Sequence, residues 1–287
     1  MLHRLFLILA AALLLLIPFP GNADSRRAGA EAARWSARSP AASDSETAPA
    51  PASQPAGRQR PAASLEKAES PLTLSQLIRR YPEIIRARGP RTPEIALTFD
   101  DVPDPRFTPA ILDVLKRSGV KATFFIVGSR AEKHPDLVAR IIREGHSIGN
   151  HSYNHPLFTK MGVAGFRSQI LRTDAILKRT AGYRSRLIRP PYGEITEKQL
   201  HWARSNGYRI INWNVDSQDW RGLNKAQVKR NVLSRAARGS IVLQHGGGGV
   251  GSDLSGTIEA LPEIIGTLRA RGYRLVTVPE LLDLPER

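Results

Sequence analysis

Residues 111–128 read ILDVLKRSGVKATFFIVG. An amphipathic helical pattern runs into Gly119, and a short β-prone run follows at once. The same unit returns at 137–152 (LVARIIREGHSIGNHS), 200–215 (LHWARSNGYRIINWNV), 232–245 (VLSRAARGSIVLQH) and 261–278 (LPEIIGTLRARGYRLVTV). Gly119, Gly145, Gly207, Gly239 and Gly272 fall where a helix ends and the chain needs positive φ before entering a strand. Alternating helices and strands call for a parallel sheet, and this many units imply an α/β barrel or a doubly wound sheet.

Outward from these units the composition changes. LTLSQLIRRYPEIIRA (72–87) is apolar at helical spacing and marks the start of a folded domain, placed at 71–287. Residues 24–70 are rich in Ala, Pro, Ser and Arg, with scarcely any large apolar side chain, which predicts a disordered linker. Residues 1–23 carry Arg4, an apolar stretch from Leu5 to Phe19 broken by Pro18, and small residues up to Ala23. They read as a signal peptide for export, with an uncleaved membrane anchor as the alternative.

Lys and Arg number 42 against 26 Asp and Glu, a net charge of +16. Such an excess favours anionic partners, although a solvated basic surface gives the same count. Nucleic-acid binding is disfavoured, because no basic stripe interleaved with aromatic residues is present and the leader points to export. The chain has no cysteine, so disulfides and thiolate ligands are excluded and any metal must be held by His, Asp or Glu.

The polar residues of interest cluster at strand ends. LTFDD (97–101) brings Asp100 and Asp101 to the end of an apolar run, where their repulsion must be offset. His151 and His155 are four apart in HSYNH, Arg189 follows SRLI, Asp216 and Asp219 follow RIINWNV, and His245 follows SIVLQ. The C-terminal rim of a parallel sheet is where such folds gather their sites. Taken singly, each has a plainer reading: surface or capping histidines, a turn-closing arginine in RPPYG, loop-capping aspartates, a tryptophan in the core. A strand-end carboxylate beside two histidines leaves positions for water and substrate on a divalent ion, which would also offset the paired charges. His134, His146 and His201 read as structural or exposed, and HGGGGVGSDLSG (245–256) as a mobile rim loop lacking the Lys-Ser/Thr of a phosphate loop.

The set TFDD, HSYNH, RPPYG, DSQDW and IVLQH, in this order, resembles the five motifs of the polysaccharide deacetylases, the NodB-homology group. The resemblance runs from about Glu94 to Leu282 and implies a deformed (β/α) barrel of parallel strands. It further implies that Asp101, His151 and His155 bind a divalent metal, Zn²⁺ first and Co²⁺ or similar as substitutes. Asp100 would be the catalytic base, oriented by Arg189. His245 would be the general acid, tuned by Asp219. The Tyr192 backbone N–H would meet an oxyanion, with Trp220 and Leu243 walling the pocket for the acetyl methyl.

The implied activity is metal-dependent removal of N-acetyl groups from the aminosugars of peptidoglycan or a chitin-like oligomer, by an exported monomer. Membrane contact is expected only if the leader stays uncleaved. An O-acetyl esterase of the xylan type and a non-catalytic glycan-binding barrel are the rivals. Two departures bear on rim shape and substrate preference. Val102 stands where the family usually has glycine, so an altered turn is expected, since a β-branched residue resists positive φ. Gly246 stands where many relatives carry aspartate.

Overall fold

A computed structural model describes residues 71–285; the expected signal segment and linker lie outside the described residues. Among the described residues nine strands form one sheet: β1 (Ile85–Arg86), β2 (Glu94–Val102), β3 (Thr123–Ile126), β4 (Ser147–Asn150), β5 (Leu187–Ile188), β6 (Arg209–Ile211), β7 (Val215–Asp216), β8 (Ser240–His245) and β9 (Arg274–Val276). Every strand pair is parallel, in the order β1-β6-β5-β4-β3-β2-β8-β7. β8 runs along one edge of β2, and the other is shared by β9 at Glu94–Ala96 and β3 at Thr98–Val102.

The sheet curls until its edges nearly meet, giving a deformed (β/α) barrel. The gap is spanned by isolated contacts instead of a continuous ladder: Arg88 bridges Ser240, and Gly89 N–H donates to the Gly239 carbonyl at 2.8 Å, while Asn214 Oδ1 accepts from Ile241 N–H at 2.9 Å on the β7–β8 side. These closures explain a departure from the sequence reading. RIINWNV is not one strand, because Ile210 and Ile211 pair with β1 and Val215 pairs with β8, and the chain crosses between them at 212–214. Likewise 72–87 is not one helix. Helix α1 (Leu74–Arg80), closed at its start by a Thr73–Gln76 capping box, stops at Tyr81 because the following Pro82 disfavours helical backbone there.

Helices α2 (Thr108–Ser118), α3 (Gly128–Lys133), α4 (Pro135–Arg143), α5 (Val163–Ala181), α6 (Glu197–Ser205), α7 (Lys225–Leu233) and α8 (Ser255–Ala270) follow, with a short α9 (Val278–Leu282) last. The strands' outward side chains, among them Ile95, Leu97, Phe99, Phe124 and Val242, pack in one core with residues of α2, α4, α5, α7 and α8. Inward side chains alternate with them and change character along the barrel. The register pairs Ala96 with Ile241, Thr98 with Leu243, and Asp100 with His245. Ala96, Leu187, Ile211, Ile241 and Val276 share an apolar cluster with Leu281 of α9. Two residues further along each of β2 and β8 stand Thr98 and Leu243, and two beyond those the titratable pair. The interior is therefore a filled core below and a polar mouth above.

Candidate active site

The mouth is a cleft of about 620 Å³ lined by Asp100, Asp101, His151, His155, Tyr192, Trp220, Leu243 and His245 among others. Arg189 and Asp219 stand behind it, each at most 1% exposed. All ten residues that the sequence singles out are thus brought together. Asp216 does both things open to it: its Oδ1 accepts from Gln218 N–H at 2.7 Å, capping the loop, and it also lines the cleft.

Asp101 Oδ1 lies 3.7 Å from His151 Nε2 and 3.3 Å from His155 Nε2, and one donor atom from each residue falls within 4.8 Å of the others. His151 Nδ1 is 2.7 Å from the Arg189 carbonyl oxygen. A carbonyl only accepts, so Nδ1 carries the hydrogen and the Nε2 lone pair faces Asp101. Burial holds His151 down to about 3, so it is neutral, as a ligand must be. Two imidazole nitrogens and a carboxylate, all lining the cleft, are a donor set that fits a divalent cation. The backbone here is specialised: Asp101, Ser152, His155, Tyr192 and Gln218 all have φ between 56 and 69°. Non-glycine residues keep that conformation only where their surroundings enforce it.

Asp100 Oδ1 accepts from Arg189 Nη1 at 2.7 Å. The guanidinium is fully buried and also donates to Thr98 Oγ1 at 2.7 Å and the Ile211 carbonyl at 3.0 Å. It lies over the Phe125 ring at 4.0 Å, and that ring fits because its neighbour is Gly149, where a Cβ would stand 2.3 Å from it. Burial raises the Asp100 pKa above the ordinary carboxylate range, and Arg189 opposes the shift.

His245 Nδ1 is 2.8 Å from Asp219 Oδ1, while Asp219 Oδ2 accepts from the His245 amide at 2.9 Å and the Thr257 hydroxyl at 2.7 Å. Burial alone would push His245 down, but the Asp219 charge and hydrogen bond lift it to about 9. At neutral pH it is therefore a cation with a proton to give. Asp100 and His245 are register partners on β2 and β8, so the carboxylate and the imidazolium stand side by side at the strand ends.

The β2–β3 register shifts between Phe99 and Val102. Positive φ falls on Asp101, and Val102 continues the strand, buried and paired with Ile126. The two departures from the family pattern turn out to touch: a Cβ at Gly246 would lie 2.5 Å from Val102 Cγ1. The valine methyl fills space that a side chain at 246 would need. The loop at 245–256 forms the rim as read, but its first half is held. Arg106 and Arg130 both donate to the Gly248 carbonyl at 2.8 Å, and both pair with the buried Asp104. His146 is structural as expected, accepting from Ala122 N–H at 3.2 Å.

Sequence reasoning missed Thr98, Phe125, Thr257 and the Asp104–Arg106–Arg130 group. Thr98 was within reach, since period-two alternation puts it on the same face as Asp100. Thr257 and Phe125 carry no local signal.

Comparison with known proteins agrees with this geometry. A family model described as polysaccharide deacetylase matches residues 87–211, which include Asp100, Asp101, both histidines, Arg189 and Tyr192. A peptidoglycan-N-acetylglucosamine deacetylase of Bacillus cereus is 50% identical over 190 residues, 66% of this chain and 68% of that one. A chitooligosaccharide deacetylase of Sinorhizobium fredii is 33% identical, over 70% of this chain and 97% of its own. The crystal structure of the Bc1960 peptidoglycan N-acetylglucosamine deacetylase superposes with a TM-score of 0.72 at 45% identity, covering 74% of this chain and 99% of that one. The buried arginine on one strand-end aspartate, the histidine pair on its neighbour and these likenesses agree: the chain belongs to the polysaccharide deacetylase family.

Proposed function

We propose that the protein is an exported, metal-dependent hydrolase that removes N-acetyl groups from the aminosugars of peptidoglycan. One observation carries the reading. Within one cleft, a buried carboxylate held by Arg189 stands between the Asp101–His151–His155 cluster and a histidine held by Asp219. A glycan-binding surface has no use for a base and a charged acid side by side.

Asp101, His151 and His155 would hold the metal, Zn²⁺ by preference for this donor set. When bound, such an ion polarises the acetyl carbonyl and makes a water acidic enough to react near neutral pH. The chain's own residues do the rest. Asp100 takes the proton of the attacking water, and Arg189 keeps the carboxylate oriented and available as an acceptor. The Tyr192 N–H, at the cleft rim, donates to the oxyanion, a term of about 3 kcal/mol for one well-placed donor. Trp220 and Leu243 exclude water around the methyl group. His245 then protonates the departing nitrogen, and the C–N bond breaks to give acetate and a free amine.

Peptidoglycan is favoured over chitin because the 50% identical relative is named for that substrate and because a basic exported chain suits an anionic wall. The test is acetate and free-amine release from peptidoglycan and from chitin oligomers, with metal stripped and restored, for wild type and Asp100→Asn. Equal acetate and amine, lost in the variant while metal stays bound, supports the proposal. Acetate without amine selects the O-acetyl esterase, and neither product selects a glycan-binding protein. Export is tested separately, by sequencing the mature N-terminus for cleavage near Ala23.

A further inference from the structure

Asn150 ends β4 and immediately precedes His151, and its side chain is fully buried. Its amide NH₂ donates to the Ile170 carbonyl at 2.9 Å and to Asp174 Oδ1 at 2.8 Å, both on α5. With both hydrogens committed to acceptors, the amide oxygen must face the other way, where it accepts from Ser152 N–H at 2.9 Å. The Ser152 hydroxyl in turn accepts from His155 N–H at 2.9 Å. Ser152 and His155 have φ of 69° and 61°, a region that side-chain-bearing residues leave unless held. Asp174 is itself fixed from behind, its Oδ2 accepting from the Tyr208 hydroxyl. A single hydrogen-bonded line therefore runs from Tyr208 through Asp174, Asn150 and Ser152 to His155, and none of Tyr208, Asp174 or Asn150 touches the cleft.

We infer that Asp174 is a positioning residue for the His151–His155 pair: by accepting from Asn150 it fixes that amide's direction, and through it the turn presenting both imidazoles to Asp101. The inference rests on reading Asp101, His151 and His155 as a metal site. A purely structural role, joining α5 to β4, makes a different prediction. It would cost stability without changing how tightly a correctly folded site holds an ion. Partners one layer behind metal ligands typically change affinity 10–100-fold when removed.

The experiment uses the full chain. Zn²⁺ affinity is measured by competition with a chelator, Co²⁺ binding by visible absorption, and folding by thermal denaturation. Asp174→Ala is expected to weaken Zn²⁺ binding about 10–100-fold and to alter the Co²⁺ spectrum. Asp174→Asn still offers Asn150 an acceptor and restores affinity to within a few-fold of wild type. Ser185→Ala removes a buried hydroxyl bonded to the Ile148 carbonyl of the same strand, and is expected to lower Tm with affinity unchanged. Wild-type affinity in Asp174→Ala, or a loss no greater than that in Ser185→Ala, overturns the inference. Should Asp174→Ala not fold, Tyr208→Phe carries the test, with a several-fold loss expected and no change overturning it. Failure of the wild type to bind either ion defeats the metal reading itself, a result distinct from tight binding by wild type and variant alike.

Discussion

Replacing Asp219 by asparagine tests the proton-donor role of His245. The wild-type carboxylate accepts from the imidazole Nδ1–H through one oxygen and from the His245 amide and Thr257 through the other. Asparagine has a single oxygen for these three donors. Placed at the doubly bonded position it keeps two bonds, and its NH₂ then faces Nδ1. That nitrogen must become an acceptor, which fixes the hydrogen on Nε2 and sets any added proton against another N–H. Burial, which already opposes the charge, loses its main counterweight and is met only by the charges of Asp100 and Asp101. The pKa should fall from about 9 to the ordinary 6.5 or lower. At 1.36 kcal/mol per pKa unit this is a loss of about 3 kcal/mol in proton affinity.

The consequence is a deficit that depends on pH. Acetate release from a soluble oligomer is followed as kcat/KM between about pH 5 and 10 for both proteins, and their ratio is taken so that titration of the base cancels. Near pH 8 the wild type keeps its acid protonated and the variant does not, giving a ~30-fold deficit. Near pH 5.5 both are protonated, and the ratio returns to within a few-fold. The wild type alone should show an alkaline limb near 9. A deficit of constant size across the range would refute the assignment, since it would mean that Asp219 shapes the cleft without setting a proton affinity.

Arg189→Met should leave Asp100 buried without its partner and cost ~3–5 kcal/mol in urea denaturation, part of it recovered by adding Asp100→Asn. Gly246→Ala forces a methyl against Val102 and should cost ~1–3 kcal/mol; Val102→Ala in the same chain should relieve it, a coupling read from a double-mutant cycle. His146 is held by burial at about 4 against an ordinary 6.5, so its neutral form favours the folded state. That contribution is whole above pH 6.5 and is lost as pH falls toward 4, on the order of 3 kcal/mol; His146→Asn should flatten the urea midpoint over this window relative to wild type.

What could be read ahead of the structure follows from how far each signal travels along the chain. The repeated helix–glycine–strand unit is local, so the parallel fold was legible, and parallel strands carry their C-terminal residues to one rim whatever the closure. That is why Asp100, Asp101, His151, Arg189 and His245 could be assigned to one mouth. Closure itself is set by contacts between distant segments. Nothing near RIINWNV announces that Arg86 will take Asn212 N–H or that Ile241 will meet Asn214, and those two bonds divide the run into separate strands. The run at 72–87 divides for a different reason, since Pro82 is a local signal that ends α1 within its apolar spacing. The layer behind the site was illegible for the first reason again: Thr257 reaches Asp219, and Asp174 reaches Asn150, only after α8 and α5 have packed on the barrel. Motif residues thus line the cleft and include Arg189 and Asp219 just behind it, while further partners of that layer, Thr257 and Asp174, come from helices whose sequence marks them only as helices. Substitutions in that second layer should therefore shift pH dependence or metal affinity in a chain whose motifs are all intact.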